Sequence, residues 1–139
     1  MMSPERARQI KQDLEGEELG PMRHIDKDGR LIPLWQWAVL FENESYRIVE
    51  QTRIWPGISI STIWLGLDHG FAQGRPLFFE TMVFSSGNED LYQKRWSDLT
   101  EAKTGHQLTV AEWKIKRFYW LIYKYLVGPI LRIFGRDKA

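Results

Sequence analysis

Residues 58–67, ISISTIWLGL, and residues 77–84, LFFETMVF, are the two stretches that decide the fold. Both are rich in the β-branched and aromatic side chains that pack well on a pleated sheet, which predicts two strands. A polar, glycine-containing loop of residues 68–76 joins them. Because this loop is short, the two strands are expected to pair as antiparallel neighbours.

Further strands are predicted on both sides of this pair. Residues 46–54 alternate between apolar and polar side chains and lead into a Pro-Gly turn signal. Residues 91–96 form a candidate edge strand, and a helix capped by Ser97 or Asp98 is expected to run to about residue 116. The predicted fold class is therefore α+β, an antiparallel β-meander of about four strands with this helix covering one face.

Two helical segments are predicted before the sheet. Ser3 followed by Pro4 starts a helix that is expected to end near Leu14, with an apolar stripe too thin for tight packing. Residues 33–42 fit either a strand or a short helix, and the helix is favoured because both alternation phases carry apolar residues. The chain then divides into an N-terminal helix over residues 1–20, an α+β core domain over residues 21–116 and a basic aromatic helical tail over residues 117–139.

Length and composition set the class of the chain. Its 139 residues suffice for one ordinary domain, and 43% hydrophobic with 27% charged residues exclude disorder along the whole length. There is no cysteine, which excludes a disulfide framework, a thiolate metal site and a cysteine nucleophile. The N-terminus lacks the apolar run of a secretory signal, so a cytoplasmic location is expected.

The C-terminal segment combines basic and aromatic residues. Residues 112–139 hold seven Lys or Arg against two acidic residues, which leaves +5 in a chain whose total charge is +1. We expect two short helices with a break at Gly128-Pro129, covered by the core, a second copy, a partner or a membrane surface. Single-stranded nucleic acid also fits the composition but is not favoured. The predicted interface residues are Phe118, Trp120, Leu121, Tyr125, Leu126, Ile130, Leu131 and Phe134.

Glu80 is the first candidate for chemistry. In the strand register in which Leu67 faces Leu77, Trp64 lies opposite Glu80 and Thr62 lies opposite Met82. Glu80 then lies among apolar side chains, where burial disfavours a charged carboxylate unless donors hold it. It is either a general acid, base or metal ligand, or a structural carboxylate bonded to loop amides or to an arginine, and the structural role is favoured.

Three further residues complete the catalytic candidates. Asp68 and His69 follow the strand at the mouth of the loop, where sites accumulate, and His106 comes directly after Gly105 in the helix. A glycine inside a helix costs about 1 kcal/mol relative to alanine. We therefore expect a neighbour, most simply the sheet, to pass close to Gly105. With Glu80 these side chains offer nitrogen and oxygen ligands, but no HxH or HExxH spacing supports a metal, and none is predicted.

The loop between the central strands is the predicted ligand-binding surface. Its stretch at residues 70–75, GFAQGR, either cradles an anion with backbone amides and Arg75 or is an ordinary hairpin loop, which is favoured. The sequence contains no GxSxG, GxxxxGK[ST] or GxGxxG, so the usual serine-hydrolase elbow and phosphate loops are absent. No cofactor is expected, and the candidate ligand-binding residues are Trp64, Asp68, His69, Gly74 and Arg75.

Three motifs follow one another in a specific order. They are STIWLGLDHGF at residues 61–71, RPLFFETMVF at residues 75–84 and EAKTGH at residues 101–106. Over about residues 35–113 the chain resembles a family of small uncharacterised bacteriophage and prophage proteins. Gly-Arg-Pro at residues 74–76 stands where that family has Gly-Pro, and the N-terminal helix and the tail lie outside the shared pattern. The resemblance implies a phage accessory protein in the cytoplasm of a bacterial host, and it brings no established activity.

Three functions compete at this point. The first is a non-enzymatic, oligomeric binding protein that inhibits or modulates a host defence factor by binding a host protein or sequestering a small anionic signal nucleotide. Its tail would form the interface, and residues 68–76 would set its specificity. The second is a small metal- or His/Glu-dependent hydrolase of the phosphodiesterase kind, which requires His69, Glu80 and His106 to converge. The third is a minor virion or membrane-associated phage component held by the tail.

Overall fold

The computed structural model describes residues 2–17, 22–70 and 74–135. Its elements are α1 (Pro4–Leu14), α2 (Leu34–Glu42), α3 (Glu44–Arg47), β1 (Ile48–Ile54), β2 (Ile58–Trp64), β3 (Phe79–Ser85), β4 (Asp90–Trp96) and α4 (Leu99–Ile122). A π-helical turn (Tyr123–Val127) and α5 (Gly128–Gly135) continue the chain beyond α4.

The four strands form one antiparallel sheet in the order β1-β2-β3-β4. Helix α4 packs across all four strands on one face. The burial along β2 alternates, so that Ile58, Ile60, Thr62 and Trp64 lie under α4 and the residues between them lie on the more exposed face. One covered and one partly solvated face is the usual arrangement of an antiparallel meander. The predicted α+β class and the covering helix are confirmed.

The register of the central strand pair differs from the prediction by one residue. Trp64 lies opposite Phe79, Glu80 opposite Ile63, and Thr62 opposite Thr81 rather than Met82. Because successive side chains of a strand point to opposite faces, the shift moves Glu80 away from Trp64 and onto the face without α4. The predicted pairing of Glu80 with Trp64 is therefore wrong.

A bulge at the end of β2 explains this shift. The amides of Leu65 and Gly66 both donate to the carbonyl of Phe78, at 2.8 and 3.2 Å, so that two residues of one strand face one residue of the other. Gly66 has a φ of 66°, and the ring of Trp64 fills the space that a Cβ at this position would need. A glycine is thus required where the pairing slips.

Two buried clusters form the core beneath α4. The first comprises Ile25, Trp64, Phe78, Phe79 and Ala102, and the second comprises Ile54, Ile58, Ile60, Val83 and Val110. Trp64 is completely buried, meets the ring of Tyr46 edge-on at 5.1 Å and donates its indole N–H to the carbonyl of Ile25 at 3.1 Å. A buried indole whose N–H is satisfied belongs to the core and not to a binding surface.

The N-terminal helices form where their sequence signals lie. The Ser3 hydroxyl accepts a hydrogen bond from the Arg6 amide, which caps α1 as predicted. The helical interpretation of residues 33–42 is confirmed by α2. Helix α1 packs on α2, where Ile10 is buried and Arg6 forms an ion pair with Glu42 at 2.7 Å.

The C-terminal helix is longer and less interrupted than predicted. Helix α4 reaches Ile122 instead of ending near residue 116, and the π-helical turn joins it to α5 without the expected break at Gly128-Pro129. A proline in an α-helix clashes with the carbonyl four residues earlier. The wider turn avoids this clash, since the Gly128 amide bonds to the carbonyl of Tyr123, five residues back. Within the described ranges, no helix combines the length and hydropathy needed to cross a bilayer.

Candidate functional site

The predicted catalytic residues lie on two different faces of the sheet. His106 projects from α4 towards the covered face, where its side chain is fully buried. Glu80 projects from β3 onto the opposite face, beside Arg95 of β4. The convergence of His69, Glu80 and His106 that the hydrolase requires is therefore not found.

His106 is anchored between two strands. Its Nε2 lies 2.9 Å from the Thr52 hydroxyl and 4.0 Å from a carboxylate oxygen of Glu50, both on β1. Its Nδ1 lies 2.8 Å from the Thr62 hydroxyl on β2. Burial lowers the pKa of His106, and Glu50 opposes part of that change. The ring is thus held in its neutral form as a polar link between α4 and the sheet.

A chain of hydroxyl groups extends this link across the sheet. The Trp96 indole, which can only donate, lies 2.9 Å from the Thr81 hydroxyl, and that hydroxyl lies 2.6 Å from the Thr62 hydroxyl. A consistent proton assignment runs from Trp96 through Thr81 and Thr62 to Nδ1 of His106, which leaves the His106 proton on Nε2. Each polar side-chain atom of this network has a hydrogen-bond partner, so the network stabilises the fold and leaves no group free for a substrate.

Glu80 has the bond to an arginine that the favoured, structural interpretation of this carboxylate included. It accepts hydrogen bonds from Arg95 Nε at 2.9 Å and from the side-chain amide of Gln93. His69 lies near this pair. Burial lowers the pKa of His69 first and Arg95 adds to the effect, whereas Glu80 and Asp68 oppose it. His69, Glu80 and Asp68 do not make a metal site, because no group of three or more potential metal-ligating side chains lies together in the ranges described here.

Asp68 organises the start of the loop. Its carboxylate accepts from the amides of Gly70 at 2.7 Å and Leu77 at 3.1 Å, which ties the two ends of the loop together. Arg75 forms an ion pair with Glu101 of α4 at 2.7 Å, and that hydrogen bond lowers the pKa of Glu101. Gly74 has a φ of 100° and an open surrounding. The anion cradle proposed for GFAQGR falls in part on residues 71–73, outside the described residues.

Of the five candidate ligand-binding residues, the structure moves one away from the surface. Trp64 is a core residue, and its assignment to a binding surface is wrong because every second residue of β2 faces α4. Asp68 and His69 stay at the end of the sheet next to Glu80. Arg75 instead reaches across to α4 and lines a groove that the sequence did not indicate.

This groove lies between the outer edge of β4 and α4 and has a volume of about 450 Å³. Its apolar lining comes from Leu77, Trp96 and Leu108, and Trp96 forms the floor where it passes over Gly105. The basic side chains of Arg75 and Lys94 lie along the groove, and Arg95, whose side chain turns to Glu80 on the other face, also contributes to its lining. Lys94 Nζ lies 4.7 Å from the centre of the Trp96 ring. We call this feature the β4–α4 groove.

One wall of this groove has a local sequence signal. The edge strand ends in Lys94, Arg95 and Trp96, a combination of positive charge and a large ring that is common at binding surfaces. The opposite wall comes from α4, and only the packing of α4 on the sheet brings the two walls together. A local pattern could therefore suggest one wall but not the groove.

The predicted interface residues of the tail all lie beyond the part of the helix that rests on the sheet. Most are exposed, including Phe118, Tyr125, Leu126 and Phe134. Within the described ranges, α5 and the π-helical turn pack only against each other and α4. The structure contains a single chain, so the identity of whatever binds this segment stays a prediction.

Comparison of the sequence with protein-family models, with curated proteins and with solved structures gives no match. The resemblance to phage and prophage proteins stays a prediction for the same reason.

Proposed function

We propose that the protein is a phage-encoded accessory binding protein that inhibits or modulates a bacterial host factor, including a defence factor. It recognises a negatively charged host partner in the β4–α4 groove. The partner is an acidic protein segment or a signal nucleotide, and the protein binds it without chemical conversion. The observation that carries this proposal is the combination of an apolar floor and basic side chains in one groove beside a strand edge.

The dimensions and lining of the groove support binding. Its volume of about 450 Å³ falls in the range of ligand sites, which are mostly apolar with a few polar groups that fix orientation. Trp96 and Leu108 supply apolar surface, and the packing of Trp96 on Gly105 fixes the floor before a partner arrives. A preformed floor reduces the entropy lost on binding.

The charges of the groove support an anionic partner. Arg75 is paired with Glu101, and Arg95 with Glu80. Lys94 Nζ lies over the ring of Trp96, and no ion pair joins it to a carboxylate in the described structure, so its positive charge is not compensated there. A phosphate or a carboxylate at the rim would supply that compensation.

The strand edge supports an extended partner. In the described sheet β4 pairs with β3 alone, so its outer edge presents backbone donors and acceptors next to the groove. A protein segment can add to such an edge as a further strand, with its side chains in the adjacent groove. A nucleotide would instead use the ring of Trp96 and the charge of Lys94.

The test is capture from a bacterial lysate with the immobilised full chain, followed by mass spectrometry of bound proteins and of extracted nucleotides. Lys94→Glu should lose the partner by tenfold or more, since it reverses the uncompensated charge. Lys103→Glu makes the same substitution at an exposed site on α4 outside the groove lining and should keep it. Equal capture by both variants, or conversion of the captured nucleotide, contradicts the proposal.

A further inference from the structure

One continuous helix has a first half that packs on the sheet, which we call the seated half, and a second half that extends beyond the sheet, which we call the projecting half. From Leu99 the helix rests on the sheet through buried residues such as Ala102, His106 and Val110. After Arg117, whose guanidinium donates to the carbonyl of Pro56, it runs on to Gly135. In the described ranges the π-helical turn and α5 pack only on neighbouring parts of the same helix.

An aliphatic stripe runs along the outer side of this helix. Its members are spaced seven, seven, four, four and three residues apart, and they are Leu108, Ile115, Ile122, Leu126, Ile130 and Ile133. Such spacings place side chains on one face. The stripe begins in the seated half, where Leu108 and Ile115 are 66% and 58% exposed because they point away from the sheet. Leu108 and Ile133 are 25 positions apart, which corresponds to about 37 Å at 1.5 Å per residue.

The opposite side of the same helix is basic and aromatic. Trp113, Arg117, Trp120 and Lys124 follow at spacings of four, three and four, in phase with the side that faces the sheet. The cations of Arg117 and Lys124 each lie 4.7 Å from the centre of the Trp120 ring. Residues 113–135 contain five basic side chains and no acidic one.

We propose that this helix binds to an anionic lipid surface, with the aliphatic stripe immersed at the boundary between headgroups and acyl chains. The stripe shares only Leu108 with the lining of the β4–α4 groove, and the proposal does not depend on a partner bound there. An apolar face opposed by Lys and Arg, with Trp and Tyr at the margins, is the composition of helices that lie in the membrane interface. The positive charge adds attraction to anionic headgroups.

Charge distinguishes an anionic lipid surface from the other partners that could cover this apolar helix face. A second copy packed on the stripe would double the five positive side chains of this segment, and residues 113–135 hold no acidic residue to balance them. A nucleic acid would contact the basic and aromatic side chains, but it would leave the aliphatic stripe exposed to water. An anionic bilayer complements both the charge and the stripe.

The position of the stripe also suits a flat partner. Because the sheet packs on the side of Val110 and Trp113, the side that carries Leu108 and Ile115 is the outer side of the domain. A planar surface can therefore contact the seated and the projecting halves together. The sheet then lies on the far side of the helix from the lipid.

The test is co-sedimentation of the full chain with vesicles of phosphatidylcholine and phosphatidylglycerol in equal parts, and with vesicles of phosphatidylcholine alone. The protein should bind the anionic vesicles at least tenfold more strongly, and high salt should weaken that binding. Lys124→Gln should lower it about fivefold, the usual effect of one cation near the surface. Equal binding to both vesicles, or none to either, overturns the proposal.

A matched pair of variants tests the stripe itself. Leu126→Gln removes an aliphatic side chain from the stripe, and Leu131→Gln makes the same change beside Trp120 and Lys124, on the basic side. Neither residue touches the sheet, so folding should be unaffected, which thermal unfolding checks. Binding to anionic vesicles should fall about tenfold in Leu126→Gln and less than twofold in Leu131→Gln. Equal losses overturn the proposal, as does a dimer in ultracentrifugation that Leu126→Gln dissociates, or tighter binding to single-stranded DNA than to vesicles.

Discussion

The indole ring of Trp96 lies directly against the backbone of Gly105. A Cβ placed on Gly105 would lie 2.1 Å from Cζ2 of Trp96, far inside any possible contact distance. The close approach lets α4 settle onto the end of β4, with the Trp96 N–H still reaching Thr81 at 2.9 Å. The sequence had predicted that something passes close to this glycine, and the neighbour is a side chain of the sheet.

Gly105→Ala should therefore destabilise the protein. Alanine favours a helix by about 1 kcal/mol over glycine, but the clash with the half-buried ring of Trp96 should exceed this gain and leave a net loss of about 1–3 kcal/mol. Urea unfolding measures the change. Thr104→Ala, at the exposed neighbouring position, should leave stability nearly unchanged, and a stabilised Gly105→Ala would contradict the packing described here.

Thr62→Val should cost about 1–3 kcal/mol, although valine fills nearly the same space. The Thr62 hydroxyl bonds both Thr81 and His106, so its removal leaves two buried polar groups with one partner fewer. Thr62→Ser keeps the hydroxyl and should cost less. Ser59→Val, on the other face of the same strand, is the control. Equal free energies of unfolding for Thr62→Val and the native chain would contradict the network.

Stability should fall as the pH drops below about 6.5. Burial lowers the pKa of His106 in the folded state, whereas the unfolded histidine titrates near its ordinary value of 6.5. Between the two values the unfolded chain binds a proton that the folded chain does not, so protonation favours unfolding. Above pH 6.5 this contribution is fully present, and it is lost as the pH falls towards the folded pKa.

A variant isolates this contribution from the other titrating groups. Burial also lowers the pKa values of His24 and His69, so all three histidines act in the same pH range. His106→Gln should therefore be less stable than the native chain at pH 8, but its stability should change less between pH 8 and pH 5. Urea unfolding across this range measures both slopes, and parallel curves would show that His106 does not titrate as inferred.

Glu80 and Arg95 should be energetically coupled. Their ion pair at 2.9 Å is largely shielded, with 10% of the Glu80 side chain and 33% of the Arg95 side chain exposed. A double-mutant cycle with Glu80→Gln and Arg95→Gln should give a coupling energy of about 1–2 kcal/mol. Arg75 and Glu101, whose ion pair is more exposed, form the control cycle and should give less than about 1 kcal/mol. Strict additivity at Glu80 and Arg95 would contradict its structural role.

The elements that could be predicted are those with local signals. Ser3 before Pro4, and Asp98 before the long helix, each form the cap that their residue type favours. The β-branched residues of β2 form a strand. Residues 33–42, which carry apolar side chains in both alternation phases, form a helix. Each of these follows from backbone chemistry within a few residues, and little tertiary packing opposes it.

The register could not be predicted because its cause is tertiary. The slip at Leu65 and Gly66 depends on the ring of Trp64 folding back over Gly66 and on two amides sharing one carbonyl of Phe78. No alternation pattern reports such a bulge. The mistake carried through to the site, because a shift of one residue turns Glu80 from the covered face to the other.

The β4–α4 groove escaped prediction for a related reason. Its walls come from β4 and α4, and its rim includes Arg75 from a loop that lies about twenty residues earlier in the chain. The sequence offered Arg75 as an anion-binding residue of a loop that was more readily an ordinary hairpin loop, and the structure pairs it with Glu101. Residues such as Lys94 and Leu108 meet only after the sheet and helix have packed.

The unbroken run of helix from Leu99 to Gly135 has a mechanical consequence. The seated half, which packs on the strands, and the projecting half, which extends past them, share one axis, and no loop separates them. Whatever holds the outer segment therefore sets the tilt of the whole molecule, and with it the direction in which the β4 edge opens. The projecting half of the helix would therefore hold the domain at a fixed angle to its partner instead of letting it reorient freely.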